Sequence, residues 1–172
     1  MSRDQPLIAT ASQTVGPFFH FGLTQVPHGS LIDRLPDGDP VTLVIRVTDG
    51  AGEVVTDAMI ELVQAGVCGR MPTAADGRCV FRIARLGTVA AEPRNGQAPH
   101  LHLWLFARGL LRHIQTRIYF SGDERIDRDP VLALVPPHRR QTLLASPDPD
   151  HPGTWTFDVR LQGAQETVFF DG

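Results

Sequence analysis

The sequence predicts an all-β protein, a two-sheet β-sandwich with short peripheral helices, on three observations. Fourteen prolines and 16 glycines punctuate short apolar runs, a pattern that favours many turns over long helices. Several runs alternate apolar and polar residues with the period of two that a half-buried strand requires. At 172 residues and 42% hydrophobic, the chain is long enough for one well-cored unit and too short for two comfortable ones, so residues 1–172 read as a single domain.

The elements follow in order. Residues 1–40 are rich in proline and glycine and show no period, yet "VGPFFHFGL" (15–23) is too apolar for a solvated tail and requires a cover. "VTLVIRV" (41–47) is β-branched and almost continuously apolar, the mark of a strand buried on both faces. Asp49-Gly50 and Gly52 then supply a turn, and "AMIELVQA" (58–65) returns as the second strand of a β-hairpin. In "RCVFRIARL", Cys79, Phe81 and Ile83 share one side. In "HLHLWLF", His100, His102, Trp104 and Phe106 share one face and Leu101, Leu103 and Leu105 the other, which predicts a central strand with two bulky faces. "HIQTRIYF", the alternation Trp155, Phe157, Val159, Leu161, and a last strand "ETVFF" complete the sheets. "DPVLALV" and "HRRQTLLA" each predict a short helix outside the sandwich, the first ended by Pro136-Pro137.

Composition excludes several functions. The net charge is -3, and no basic run exceeds Arg139-Arg140, so the footprint of a nucleic-acid binder is missing. No window approaches a membrane span, and the N-terminus has no signal-peptide core. Cys68 and Cys79 make no disulfide framework and read as buried thiols, which together with these absences predicts a cytoplasmic protein. All 16 cationic side chains are arginine, planar donors suited to carboxylates.

The chemistry-bearing feature is the pair His100 and His102. An i, i+2 spacing on a strand projects both imidazoles to one side of a sheet, close enough to share an ion. A metal site wants at least three protein ligands, and the nearby carboxylates, Glu61 and Glu92, have no diagnostic spacing. From these residues alone, packed hydrogen-bonded histidines and a metal-binding pair both remain open.

Five stretches, in order along most of the chain, carry a resemblance: "SQTVGPFFHFGL", "TDGAGEVVTDAMIELVQA", "APHLHLWLFARGL", "TRIYF" and "RLQGAQETVFFDG". They resemble the alpha subunits of the protocatechuate 3,4-dioxygenase family, intradiol ring-cleaving enzymes. The resemblance implies a β-sandwich of the intradiol dioxygenase type that pairs with a homologous beta subunit, whose non-haem Fe(III) is held by two tyrosinates and two histidines. It implies protocatechuate and dioxygen as substrates, 3-carboxy-cis,cis-muconate as product, and residues 1–40 packing on the partner chain, with Val15, Phe18, Phe19 and Phe21 against it.

The resemblance also marks departures. His100 and His102 fall on the family's histidine ligands, but Met71 and Val89 stand where its tyrosines would, and Tyr119 is the only tyrosine. Gln97 replaces an arginine that steadies charge on the substrate, and the segment between Gly69 and Phe81 is shorter than the family pattern. These changes imply a degenerate site, no metal in this chain, iron carried by the beta subunit, and an isolated chain without activity. By the same resemblance, Thr14, Gly16, Pro17 and Arg108 line the beta subunit's substrate pocket. Two rival expectations are a stand-alone metalloprotein, in which His100 and His102 bind another divalent ion with Glu61 or a cysteine, and a β-sandwich interaction module without catalysis.

Overall fold

The framework of the computed structural model is eight strands: β1 (Pro40–Thr48), β2 (Met59–Gln64), β3 (Val67–Pro72), β4 (Arg78–Ala84), β5 (Leu101–Phe106), β6 (Ile114–Phe120), β7 (Leu144–Pro147) and β8 (Thr154–Arg160). Two short helices, α1 (Phe19–Leu23) and α2 (Pro130–Leu134), and two 3-10 helices, Glu124–Arg128 and Pro137–Leu143, lie around them. The structure describes residues 8–16, 18–25, 28–31, 33, 39–85 and 96–171. No helix among them is long and apolar enough to cross a membrane.

The strands lie in the order β3-β2-β5-β6-β7-β8-β1-β4. The first four form an antiparallel layer. The last four form the other, in which β8 and β1 run parallel and the remaining pairs antiparallel. A two-residue parallel pairing, Tyr119 with Leu144 and Phe120 with Ala145, joins the layers along one edge. Between them lies the expected sandwich core. Leu62, Leu101, Leu103, Leu105 and Ile118 face Leu43, Ile45, Val47, Phe81, Ile83, Phe157 and Val159, each large side chain contributing about 1.5–3 kcal/mol by leaving water. A second apolar cluster, Ala98, Tyr119, Leu132, Val135 and Leu143, sits under α2.

The other edge is closed by the N-terminal segment. Residues 28–31 run between β3 and β4: His28 and Arg70 exchange two backbone hydrogen bonds of 3.0 Å, while Leu31 N–H donates to Arg82 and Arg82 N–H to Gly29, both at 2.8 Å. This approach requires glycine at position 69, where a Cβ would stand 2.5 Å from the His28 carbonyl oxygen. Leu31, from the same segment, is buried in the core.

Five expectations are corrected. The 41–47 and 58–65 runs are not a hairpin: β1 pairs with β4 and β8, β2 with β3 and β5, and only the bridge Thr48 to Val54 remains between the two arms. The turn does form, with Asp49 Oδ1 accepting from Ala51 and Glu53 N–H, but it starts a crossing between layers, since each strand finds two long neighbours in its own layer. β1 is fully buried on one face only, because the outer face of such a layer stays partly solvated. "HRRQTLLA" divides into a 3-10 helix and β7, the chain regaining extended geometry at Leu144 to join the layers. "ETVFF" is not a strand; Thr167 and Phe170 N–H donate to the carbonyls of Arg160 and Gln115, strapping β8 to β6. The α2 helix is as expected, ending at Leu134 before Pro136-Pro137. Cys79 is buried but Cys68 is exposed, and they lie on different strands, β4 and β3.

Candidate functional site

β5 lies between β2 and β6, so its leucines are driven into the core and the alternate residues are presented on the outer face. Leu101, Leu103 and Leu105 are buried, His102 is exposed, and Trp104 and Phe106 are half-buried. His100 precedes the strand, and its ring meets that of His102 edge-on with centroids 4.8 Å apart. His100 Nδ1 lies 2.8 Å from the Ala98 carbonyl oxygen, a contact that needs the proton on Nδ1 and leaves Nε2 as the acceptor. Burial pushes His100 below the ordinary histidine value; Arg117 acts in the same direction, and the Ala98 bond and Asp129 oppose it. His102, although exposed as a residue, is lowered first by the partial loss of water around it, then by His100 and Arg117.

Arg117 and Asp129, which the sequence did not single out, complete the surroundings together with Gln97 and Tyr119, which it did. Arg117 of β6 stands opposite His102, donates from Nη1 to Gln97 Oε1 at 3.1 Å, and lies 3.5 Å from the Tyr119 hydroxyl. Gln97 thus stands where the resemblance expects an arginine, and the guanidinium beside the two imidazoles is that of Arg117, across the strand. Tyr119 is buried with its ring 5.4 Å from that of His100. Burial raises its phenol, Arg117 opposes this as a hydrogen-bond donor, and Asp129 adds to the rise. Asp129, also buried, accepts from Ala98 N–H at 2.7 Å and from Val131 and Leu132 N–H at 2.8 and 2.9 Å, so one carboxylate caps α2 and anchors the approach to His100. The register between β5 and β6 places Arg117 opposite His102, and Asp129 joins from the N-terminus of α2.

A ferric ion favours hard anionic oxygen ligands beside its imidazoles. Met71 is paired with Ile60 on β3 and packs into the core, on the face of the sheet opposite His102. Val89 and Glu92 lie outside the described residues. Glu61 is engaged by Arg70 through an ion pair. Cys68 is separated from His102 by Val63 of the intervening strand. Among the described residues no three of His, Cys, Asp or Glu come together. Two imidazoles facing a guanidinium, beside one phenol bonded to that guanidinium, do not fit a ferric ion.

A second constellation lies past the end of β5. Ala107 to Leu110 form a turn closed by a 3.3 Å bond from Leu110 N–H to the Ala107 carbonyl, with Gly109 at φ +87°, a conformation that favours glycine. Thr14 reaches this turn across the chain: its hydroxyl accepts from Gly109 N–H at 2.8 Å. Arg108 projects from the turn and is ion-paired through Nε to Asp57. Thr14 and Arg108 are therefore neighbours, Gly16 is exposed two residues on, and Pro17 lies outside the described residues. Phe19 packs near Phe106 with ring centroids 5.7 Å apart, holding α1 at the same end of β5.

No family profile matches the sequence. The protocatechuate 3,4-dioxygenase alpha chain of Burkholderia cepacia is 39% identical over 194 residues, covering 94% of this chain and 96% of its own. That of Pseudomonas putida is 35% identical over 192 residues, with the same coverage, whereas the beta chain of Burkholderia cepacia is 23% identical over 193 residues, covering 96% of this chain and 80% of its own. Among solved structures, the dioxygenase domain of a dioxygenase carbohydrate-binding protein fusion from Streptomyces sp. SirexAA-E superposes with a TM-score of 0.62 at 27% identity, over 80% of this chain and 89% of that one. The strand layers and the two alpha-chain relatives agree, and the chain belongs to the protocatechuate 3,4-dioxygenase alpha-chain family of intradiol ring-cleaving oxidoreductases.

Proposed function

We propose that this chain is the alpha subunit of an enzyme that opens the ring of protocatechuate between its two hydroxyl-bearing carbons, giving 3-carboxy-cis,cis-muconate. Dioxygen is the second substrate, and a homologous beta subunit carries the Fe(III) that activates the bound catecholate. The alpha subunit binds no iron itself: His100 and His102 are remnants of ligand positions, with Met71 and Val89 where phenolates would be needed. Its contribution is a wall of the shared pocket, built from Thr14, Gly16, Pro17 and Arg108. Residues 1–40, which include Thr14, Gly16 and Pro17, pack on the beta subunit, within a single-domain chain of the cytoplasm.

The observation that carries this reading is the bond from Gly109 N–H to the Thr14 hydroxyl. It ties two segments 95 residues apart into one surface at which Arg108 presents a guanidinium whose side chain is 66% exposed. Asp57 takes the Nε–H, and the two Nη groups form the forked edge that receives a carboxylate with two parallel hydrogen bonds. Protocatechuate has such a carboxylate and catechol does not. In the enzyme reconstituted with its beta subunit, Arg108→Ala is expected to raise KM for protocatechuate about tenfold or more, the loss of a hydrogen bond between charged groups, and to leave catechol within about twofold. An equal effect on the two substrates would remove the carboxylate role.

A further inference from the structure

We propose that Asp57 is a positioning residue that sets the protocatechuate preference by orienting the Arg108 guanidinium; this rests on the reading that Arg108 meets the substrate's carboxylate. An arginine on a surface turn samples many rotamers, and a bidentate contact uses only those that aim the Nη edge at the ligand. The turn itself is fixed by the Leu110-to-Ala107 bond and by Thr14 on Gly109, but neither of these touches the Arg108 side chain. Asp57 does, through the Nε–H.

Asp57 is a firm anchor for reasons visible in its neighbours. Ala58 is buried and clamped to Thr73 by three bonds: Thr73 N–H to the Ala58 carbonyl at 2.9 Å, Ala58 N–H to the Thr73 hydroxyl at 3.0 Å, and that hydroxyl to the same carbonyl at 3.3 Å. The Asp57 side chain is 22% exposed against 66% for Arg108, so the carboxylate is the held partner and the guanidinium the guided one. Because Asp57 takes Nε, the edge left for a ligand is the Nη pair, and the approach direction of the carboxylate is fixed with it. The sequence conceals this link, since 51 residues separate the two groups.

The electrostatics make the test signed. Asp57 is a negative charge beside the proposed carboxylate site, so an aspartate that acted only through its charge would repel protocatechuate, and Asp57→Ala would lower KM. An aspartate that orients Arg108 gives the opposite: Asp57→Ala, which removes the acceptor of the Nε–H, raises KM for protocatechuate about tenfold, with kcat within about twofold and catechol unchanged. Asp57→Glu, which keeps the charge on a longer arm, recovers part of the loss. In the Arg108→Ala background, Asp57→Ala gives no further rise in KM, because what the aspartate positioned is gone.

All variants are assayed as the reconstituted complex with the beta subunit, and co-elution with that subunit establishes assembly. If Asp57→Ala does not assemble, Asp57→Glu carries the test alone, with an intermediate rise in KM expected for protocatechuate and none for catechol. A lower KM, an equal change for both substrates, or a full additional rise on top of Arg108→Ala overturns the positioning role and leaves the Arg108 reading intact. Arg108→Ala that itself fails to distinguish the two substrates overturns the Arg108 reading, a different result from any of these.

Discussion

At the scale of single residues, burial decides chemistry more than residue type does. Cys79 sits on β4 with its side chain in the core, and burial pushes its thiol up to about 12. In the unfolded chain a thiol titrates near 8.5. A folded value above the unfolded one means stability that is fully present below pH about 8.5 and is lost as pH rises towards the folded value. The slope is about 1.4 kcal/mol per pH unit while the unfolded thiol is ionised and the folded one is not. Replacing Cys79 by valine keeps an apolar side chain there and removes the ionisable group. Urea unfolding of the chain at high dilution is expected to show the wild type losing stability from about pH 9 to 10 more steeply than Cys79→Val by about that slope; parallel curves would refute it. The alternation of "RCVFRIARL" made the burial of Cys79 legible beforehand. For Cys68 it was not, because its exposure depends on β3, a strand the sequence reading did not resolve. Nor could a linear pattern place Arg117 opposite His102 or Tyr119 beside His100, since both depend on how β5 and β6 are paired.

At the scale of elements, alternation revealed strands, whereas their partners depended on longer connections. β4, β5 and β8 were readable because each shows apolar residues on every second position, and β6 from a run closed by isoleucine and two aromatic residues. The supposed hairpin failed because the Asp49 turn looks the same whether the chain folds back within one layer or crosses to the other. β3 was missed because its core-facing positions include Gly69, which gives no apolar signal. That glycine is nonetheless needed to admit the 28–31 segment between β3 and β4. A Gly69→Ala methyl would meet the His28 carbonyl, and such overpacking costs about 1–3 kcal/mol. The expected local sign is faster amide exchange at His28, Leu31, Arg70 and Arg82, whose N–H groups make the seam bonds. Gly22→Ala, where a Cβ meets nothing within 4 Å, is the matched control. Unchanged protection at the seam in Gly69→Ala would show that the segment is not held by this close approach.

At the scale of the whole molecule, the two layers bury their facing sides well, while the N-terminal approach leaves large apolar groups outside. Phe19 lies against Phe106, but Phe18 and Phe21 are 81% and 59% exposed. Moving each such aromatic out of water is worth about 1.5–3 kcal/mol before ordering costs are counted, enough to drive association when no partner covers them. The proposed cover is the beta subunit, so the chain alone is expected to self-associate in sedimentation velocity as its concentration rises. Adding the beta subunit should replace that distribution with one hetero-oligomer. Phe18→Ser with Phe21→Ser removes the apolar groups without touching Thr14 or Arg108, and is expected to make the isolated chain monodisperse while weakening its pairing with the beta subunit about tenfold or more. If the wild-type chain alone is already a monodisperse monomer across that range, the exposed phenylalanines do not mark the surface on which the partner rests. The proposed wall of Thr14 and Arg108 would then need another means of reaching the beta subunit.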